Sequence, residues 1–289
     1  MKSNRSCDKQ IFAEDQLPAV YPSESAGNSE ELEELQTKAD IYSVYGDFLS
    51  GEKLDVGRRF HDLSVPRIAD RIAYLRRRCT GKKVLHIGCL DHPEIIVERV
   101  KNGTWLHGII SSVADLCVGL DVNYSARDLV RRELGIENIH LLDLSRYVNE
   151  NDLTPLRQTQ WDLILCPEIL EHITNHQQFL RNLRSISYSG TTLIVTVPNA
   201  FKFGNFVNAF RGFESINSDH KYWFTFYTLS RTLVANGWKP HRLVYYNDPK
   251  AMDWMNILSR LATRCSRVFC DGLILEACRL PPESNESVP

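Results

Sequence analysis

Short apolar runs recur between residues 83 and 279, and segments with apolar positions at helical spacing separate them. Short runs of this kind predict buried strands, whereas the helical spacing predicts amphipathic helices. We expect strands at 83–88, 116–121, 138–142, 161–166, 190–197, 240–246 and 268–279. We expect helices at 93–115 (broken near Gly103), 124–134, 169–187, 227–237 and 251–264.

The alternation of strand and helix indicates an α/β fold. It predicts a mainly parallel sheet with helices on both faces, because parallel strands need crossover connections. The runs at 162–166 and 193–197 are almost continuously apolar, as strands covered on both faces must be.

The chain divides by composition into four parts. Residues 1–29 are polar and predict a flexible arm. Residues 30–79 predict an N-terminal helical extension, with one helix starting after Ser29 and another over 65–78. Residues 80–280 predict the main domain, and 281–289 a loose tail.

Composition and charge exclude several classes of protein. Apolar content of 43% with 24% charged residues fits a globular domain, and a formal net charge of -2 argues against nucleic acid as a partner. No apolar run is long enough to span a membrane, and the N-terminus does not resemble a signal peptide. Eight cysteines without a CxxC pair predict reduced thiols and a cytoplasmic location.

Two strand ends suggest a ligand site. The first strand stops at Gly88 and turns, and in α/β sheets ligands bind at the carboxyl ends of strands. The second strand ends in Asp121. A carboxylate can accept hydrogen bonds from two hydroxyl groups, so the pair suits a ligand with a ribose. The alternative role for Asp121 is to cap the helix that begins near Tyr124.

Five stretches, in chain order, resemble the motifs of the class I S-adenosylmethionine-dependent methyltransferases. They lie at 84–89, 118–122, 141–144, 161–172 and 193–199. The resemblance implies a Rossmann-like sheet of seven strands, mostly parallel with the last strand antiparallel. It also implies a transferase of EC 2.1.1 type with S-adenosyl-L-methionine as cofactor.

The same resemblance implies the residues that hold the cofactor. Asp121 would meet the ribose and Asp143 the adenine amine, although a carboxylate at 143 could equally form a loop turn. The full set implied as cofactor-binding is His86, Gly88, Cys89, Asp121, Val122, Asp143, Leu144, Cys166 and Glu168.

A later stretch narrows the resemblance. Residues 219–229 and the first motif are similar to methyltransferases of bacterial glycan and secondary-metabolite pathways. This implies glycan biosynthesis and a small, sugar-like acceptor methylated on oxygen. The sequence leaves the identity of the acceptor and the oligomeric state open.

Three departures from the family pattern keep other functions open. His86, Leu90 and His92 stand where the family has an acid and two glycines. The alternative is therefore a catalytically silent cofactor-binding or scaffold protein of a biosynthetic pathway. A nicotinamide dehydrogenase is disfavoured, because residues 88–93 lack the G-x-G-x-x-G pattern.

Methyl transfer to a hydroxyl is helped by a general base, and histidine suits this role near neutral pH. The candidate catalytic residues are His220, His172 and Glu168. Their alternative roles are structural. The histidines could pack or form a turn, and the acid could interact with the dipole at a helix N-terminus. Glu168 and Glu171 are three apart and would share one helical face. No recognised metal-ligand spacing occurs, although Glu168, His172 and Asp219 could together reach a cation, so no metal is expected.

Overall fold

The computed structural model describes residues 40–61, 67–247 and 254–281. The predicted arm at 1–29, the first part of the helix expected after Ser29 and the tail from 282 onward lie outside these residues. Within the described ranges, no helix has the length and apolarity needed to cross a membrane.

The described strands form one sheet of eight. Their bounds are β1 (Arg67–Ile68), β2 (Lys83–Ile87), β3 (Leu116–Asp121), β4 (Ile139–Leu141), β5 (Leu163–Pro167), β6 (Thr192–Pro198), β7 (Trp238–Tyr246) and β8 (Gly272–Arg279).

Helices cover both faces of this sheet. Their bounds are α1 (Ile41–Ser50), α2 (Arg71–Cys79), α3 (Pro93–Lys101), α4 (Leu106–Ser111), α5 (Tyr124–Leu134), α6 (Glu150–Arg157), α7 (His176–Ile186), α8 (Phe203–Phe210), α9 (Phe226–Val234) and α10 (Trp254–Cys265). Short 3-10 turns lie at Leu170–His172 and Arg267–Phe269.

The strand order is β1-β7-β8-β6-β5-β2-β3-β4. All neighbouring pairs are parallel except those of β8, which runs antiparallel to β6 and β7. The predicted mostly parallel sheet with an antiparallel last strand is confirmed. The strand number differs from the expected seven, because the two-residue β1 adds an edge beside β7.

The strand order indicates where on the sheet a ligand can bind. The chain winds outward from β2 to β3 and β4 in one direction, and then returns to β5 and β6 in the other. A reversal of this kind opens a crevice at the carboxyl ends of the central strands. The ends of β2, β3 and β5 therefore meet where a ligand can enter.

Buried tryptophans stabilise the loops and helices that pack around this sheet. Trp105 and Trp161 are almost fully buried, and each indole N–H donates to a backbone oxygen. Trp105 Nε1 donates to the Cys89 carbonyl at 2.8 Å, and Trp161 Nε1 donates to the Leu156 carbonyl at 2.7 Å. Each residue buries a large apolar area while its polar atom stays paired.

Two predicted helices begin later than expected, because side chains cap them. The helix expected over 65–78 starts at Arg71, where the Asp70 carboxylate accepts from the Ala73 amide at 3.0 Å. The helix expected over 169–187 is a 3-10 turn followed by α7, which starts after Asn175 caps the Gln178 amide at 3.0 Å.

A buried carboxylate ties α2 to the sheet. Glu276 on β8 is 1% exposed, and it accepts from the Tyr74 hydroxyl at 2.6 Å and from Arg78 at 2.8 and 2.9 Å. Burial alone would raise the pKa of Glu276. The interactions with His241, Arg78 and Tyr74 outweigh burial and lower the pKa to about 2.

We expect Glu276→Gln to lower the free energy of unfolding by about 2 kcal/mol at pH 7, because a neutral amide loses the charge-assisted bonds to Arg78. The folded-state pKa of about 2 lies below the ordinary value of 4.5. The stabilisation is therefore complete above pH 4.5 and disappears as the pH falls towards 2. Urea denaturation at several pH values should show the difference between wild type and variant shrinking over that interval.

The matched control is Glu150→Gln, which removes an exposed ion pair with Arg157. Its stability should stay close to that of wild type. Equal losses in the two variants would contradict the role assigned to the buried carboxylate.

Candidate functional site

A cavity of about 450 Å³ opens at the carboxyl ends of β2, β3 and β5. Most of the site residues predicted from the sequence line it. These are His86, Gly88, Cys89, Asp121, Val122, Asp143, Leu144, Glu168 and His172.

Two predicted site residues are not in that lining. Cys166 is fully buried in the main core, where burial raises the pKa of its thiol. His220 stacks behind His172, and its neighbour Asp219 reaches the cavity instead.

Gly88 makes the turn that starts the site. Its φ is 67°, in the left-handed region that favours glycine. A Cβ at this position would lie 2.0 Å from Cδ1 of Ile169, so no larger side chain fits. The Gly88 amide still donates to the Leu120 carbonyl at 2.8 Å. The chain therefore leaves the sheet immediately after this glycine.

Asp121 holds the loop that follows. Its Oδ2 accepts from the Leu90 amide at 2.8 Å, and its Oδ1 accepts from the Val122 and Asn123 amides at 2.7 and 2.9 Å. A carboxylate offers about four acceptor positions, so one remains for a further donor from the cavity. We call this set of three hydrogen bonds the Asp121 clamp.

The alternative role of Asp121 as a helix cap belongs to another residue. The side chain of Asn123 accepts from the Ala126 amide at 3.0 Å and caps α5. Asp121 therefore does not cap α5, and its carboxylate faces the loop and the cavity.

The departure from glycine at Leu90 is compatible with the turn. Leu90 keeps a negative φ, and its side chain packs against the buried cluster around Ile96 and Trp105. The loop thus needs only the glycine at 88 for its backbone path. A leucine two residues later adds apolar contact.

His86 is buried in β2 and pairs with a second histidine. Its Nδ1 lies 3.2 Å from Nδ1 of His107. Burial and, secondarily, the neighbouring imidazole lower the pKa of His86, and burial lowers that of His107 to about 4. Both rings are neutral at pH 7, so His86 brings no charge to the cavity.

Asp143 forms a local turn at the cavity wall. Its Oδ1 accepts from the amide and hydroxyl of Ser145 at 2.9 and 2.6 Å, and its Oδ2 lies 2.9 Å from Nε of Arg146. The adjacent Leu144 is buried, and the Val122 side chain is 67% exposed. A contact from Asp143 to an adenine remains a prediction.

Glu168 sits at the opposite wall. Its φ of 54° is unusual for a residue with a side chain. Its Oε1 accepts from the Thr196 hydroxyl at 2.7 Å and from the Tyr246 hydroxyl at 2.9 Å, and lies 3.1 Å from Nη1 of Arg71. The sequence did not predict these three partners, which come from β6, β7 and α2. Strain and a dense polar network are typical of functional sites.

The expectation that Glu168 and Glu171 share one helical face is wrong. Glu168 lies outside any helix, and Glu171 lies in the 3-10 turn. Glu171 is fully buried, and within the described residues neither carboxylate oxygen has a hydrogen-bond partner. Burial first, and then the charge of Glu168, raises the pKa of Glu171 to about 8.

Beside Glu171, two histidines stack edge to face. The ring centroids of His172 and His220 are 4.6 Å apart, and Nδ1 of His172 lies 3.0 Å from Oδ2 of Asp219. The Lys221 amide donates to the Glu171 carbonyl at 2.8 Å, and its ammonium donates to the carbonyl of His172. These links hold the segment after α8 against the 3-10 turn.

No protein-family model matches the chain, and no curated protein matches it. Solved structures with a similar arrangement include a SAM-dependent methyltransferase from Archaeoglobus fulgidus, with 15% identity, coverage of 72% of this chain and 92% of that chain, and a TM-score of 0.46. Another is magnesium protoporphyrin IX methyltransferase from Synechocystis PCC 6803 with bound SAH, at 17% identity, 72% and 80% coverage, and a TM-score of 0.44. At these values, function must be argued from the site itself.

We expect Gly88→Ala to destabilise the protein more than Gly135→Ala. Both glycines have φ of 67°, so an alanine costs about 1 kcal/mol of backbone strain at either position. A Cβ at 135 meets nothing within 4 Å, whereas at 88 it overlaps Ile169. Overpacking adds about 1–3 kcal/mol at Gly88. Thermal or urea unfolding measures both.

Adding Ile169→Ala to Gly88→Ala removes the overlapping atoms and should recover part of the loss. Equal destabilisation by the two glycine variants would show that the contact with Ile169 does not constrain the turn.

Proposed function

We propose that this protein is an S-adenosyl-L-methionine-dependent methyltransferase that methylates a hydroxyl group of a small, sugar-like acceptor. The observation that carries the proposal is the Asp121 clamp beside the Gly88 turn. Both lie at the point where the order of strands in the sheet reverses. A glycine turn and a carboxylate on adjacent strand ends suit a ribose and the chain attached to it.

The cavity suits a nucleoside cofactor. Its volume of about 450 Å³ lies within the usual range for small-molecule sites. The free acceptor position of Asp121 would take a ribose hydroxyl, while Asp143 and Leu144 would flank the adenine. Gly88, Cys89 and the rest of the predicted cofactor set would line the remainder, with the buried Cys166 behind them.

When bound, this cofactor would supply a methyl group from a sulfonium: the acceptor oxygen bonds to the methyl carbon and loses its proton, while the carbon–sulfur bond breaks and leaves a neutral thioether. The chain's contribution is then alignment and proton removal. Glu168 is fixed by three partners and would orient the acceptor hydroxyls. His172 is fixed by Asp219.

Glu168 and His172 define the acceptor side of the cavity, and His220 lies against His172 just outside the cavity lining. Burial and the neighbouring His172 lower its pKa, so His220 is neutral at pH 7. A neutral imidazole has a lone pair, which can accept a proton or bind a cation. The protein is expected to act in the cytoplasm, and a silent cofactor-binding scaffold remains the alternative proposal.

We expect wild-type protein to bind S-adenosylmethionine and S-adenosylhomocysteine at micromolar strength, about -8 kcal/mol by calorimetric titration. Asp121→Asn replaces an acceptor oxygen with an N–H donor, so it should weaken binding at least about tenfold. The control is Asp128→Asn on α5, an acid that pairs with Arg132 at 3.0 Å and should not alter binding.

Transfer of a labelled methyl group to a panel of hydroxylated sugars separates the two proposals. Binding with transfer supports the enzyme, whereas binding without transfer to any acceptor favours the silent scaffold. Folded wild-type protein that binds neither ligand would reject both.

A further inference from the structure

We propose that Glu171, His172 and His220 bind one divalent transition-metal cation at the acceptor side of the cavity. Each residue offers a ligand atom, and these atoms lie within 4.8 Å of one another. Two imidazoles and one carboxylate suit Mn²⁺, Fe²⁺, Co²⁺ or Zn²⁺ better than Mg²⁺, which prefers oxygen ligands.

The Glu171 side chain is the strongest indication. Buried carboxylates in proteins are paired, hydrogen-bonded or bound to metal. Glu171 is 0% exposed, and within the described residues neither of its oxygens has a hydrogen-bond partner. A cation satisfies both the charge and the lone pairs.

His220 presents a second unpartnered atom. Its Nδ1 is buried and makes no hydrogen bond within the described part of the chain. The ring is held in place, because it stacks against His172 and its neighbour Lys221 is bonded to the Glu171 carbonyl. The His220 ring is thus fixed beside Glu171.

The third ligand has its own support. Asp219 Oδ2 lies 3.0 Å from Nδ1 of His172. A proton on Nδ1 leaves Nε2 with a free lone pair, which is how a carboxylate commonly orients a metal-binding histidine. No metal-ligand spacing could be read from the sequence, because His220 belongs to a distant segment of the chain.

Two cationic side chains nearby already have acceptors. The Lys221 ammonium donates to the carbonyl of His172, and the Arg71 guanidinium pairs with Glu168 at 3.1 Å. The charge of Arg71 is therefore balanced by that of Glu168, and the Lys221 ammonium has a backbone acceptor.

The role of the cation rests on the proposed function. Three protein ligands leave coordination positions open, and His172 and Asp219 border the cavity. An acceptor hydroxyl bound at an open position would lose its proton to water more easily, and its oxygen would then be the better nucleophile.

The test is a titration of chelator-treated full-length protein with Co²⁺, followed by visible absorption, with equilibrium dialysis against Mn²⁺, Zn²⁺ and Mg²⁺. We expect one equivalent of Co²⁺ to bind. Glu171→Gln and His220→Gln should each bind at least tenfold more weakly. His140→Gln, on β4 and outside the cluster, should bind like wild type.

Melting temperatures distinguish a metal site from a purely structural role. We expect Co²⁺ to raise the Tm of wild type and of His140→Gln but not that of Glu171→Gln. A cation that binds the folded state stabilises it, and the Glu171→Gln variant is expected to bind too weakly for this effect. Without metal, Glu171→Gln should melt no lower than wild type, because its carboxylate has no partner to lose.

Folded wild-type protein that binds no Co²⁺, or undiminished binding in both variants, would overturn the proposal. A parallel titration with S-adenosylhomocysteine keeps the two proposals apart. Metal binding without donor binding rejects the proposed function alone, and donor binding without metal binding rejects the metal site alone.

Discussion

The Asp121 clamp is the constraint on which the candidate site depends. One carboxylate accepts three backbone N–H groups and so joins the loop after β2 to the end of β3. Hydrogen bonds to a charged acceptor are about twice as strong as neutral ones. Because the loop is fixed in this way, the Gly88 turn opens onto a cavity and leaves room for a ligand beside the carboxylate.

Much of the fold follows from local pattern, and the exceptions have local causes. Strands β3 and β5 were predictable, because their residues are almost all buried and apolar. The edge strand β1 has only two residues, too few to form a pattern. Helix α6 was not predicted because it contains Pro155, a residue that usually indicates the end of a helix. Helix α8 was not predicted because none of its residues is buried, so it lacks the core-facing apolar stripe that helps to identify a helix.

The candidate site was predictable only where neighbours in space follow successive strands. Gly88 and Asp121 could be paired because their strands are adjacent in sequence and in the sheet. The partners of Glu168 lie on elements far apart along the chain, and the isolation of Glu171 depends on packing that no local pattern encodes. Because a continuous helix was expected over 169–187, the 3-10 turn that gives Glu168 and Glu171 different surroundings was not predicted.

The central claim is that this cavity holds the nucleoside of a methyl donor against Asp121. A crystal structure of the protein with S-adenosylhomocysteine tests it most directly. The account predicts a ribose hydroxyl within about 2.6–3.2 Å of the Asp121 carboxylate, with the adenine beside Asp143 and Leu144. A nucleoside bound elsewhere, or one that makes no contact with Asp121 while the clamp stays intact, would contradict it.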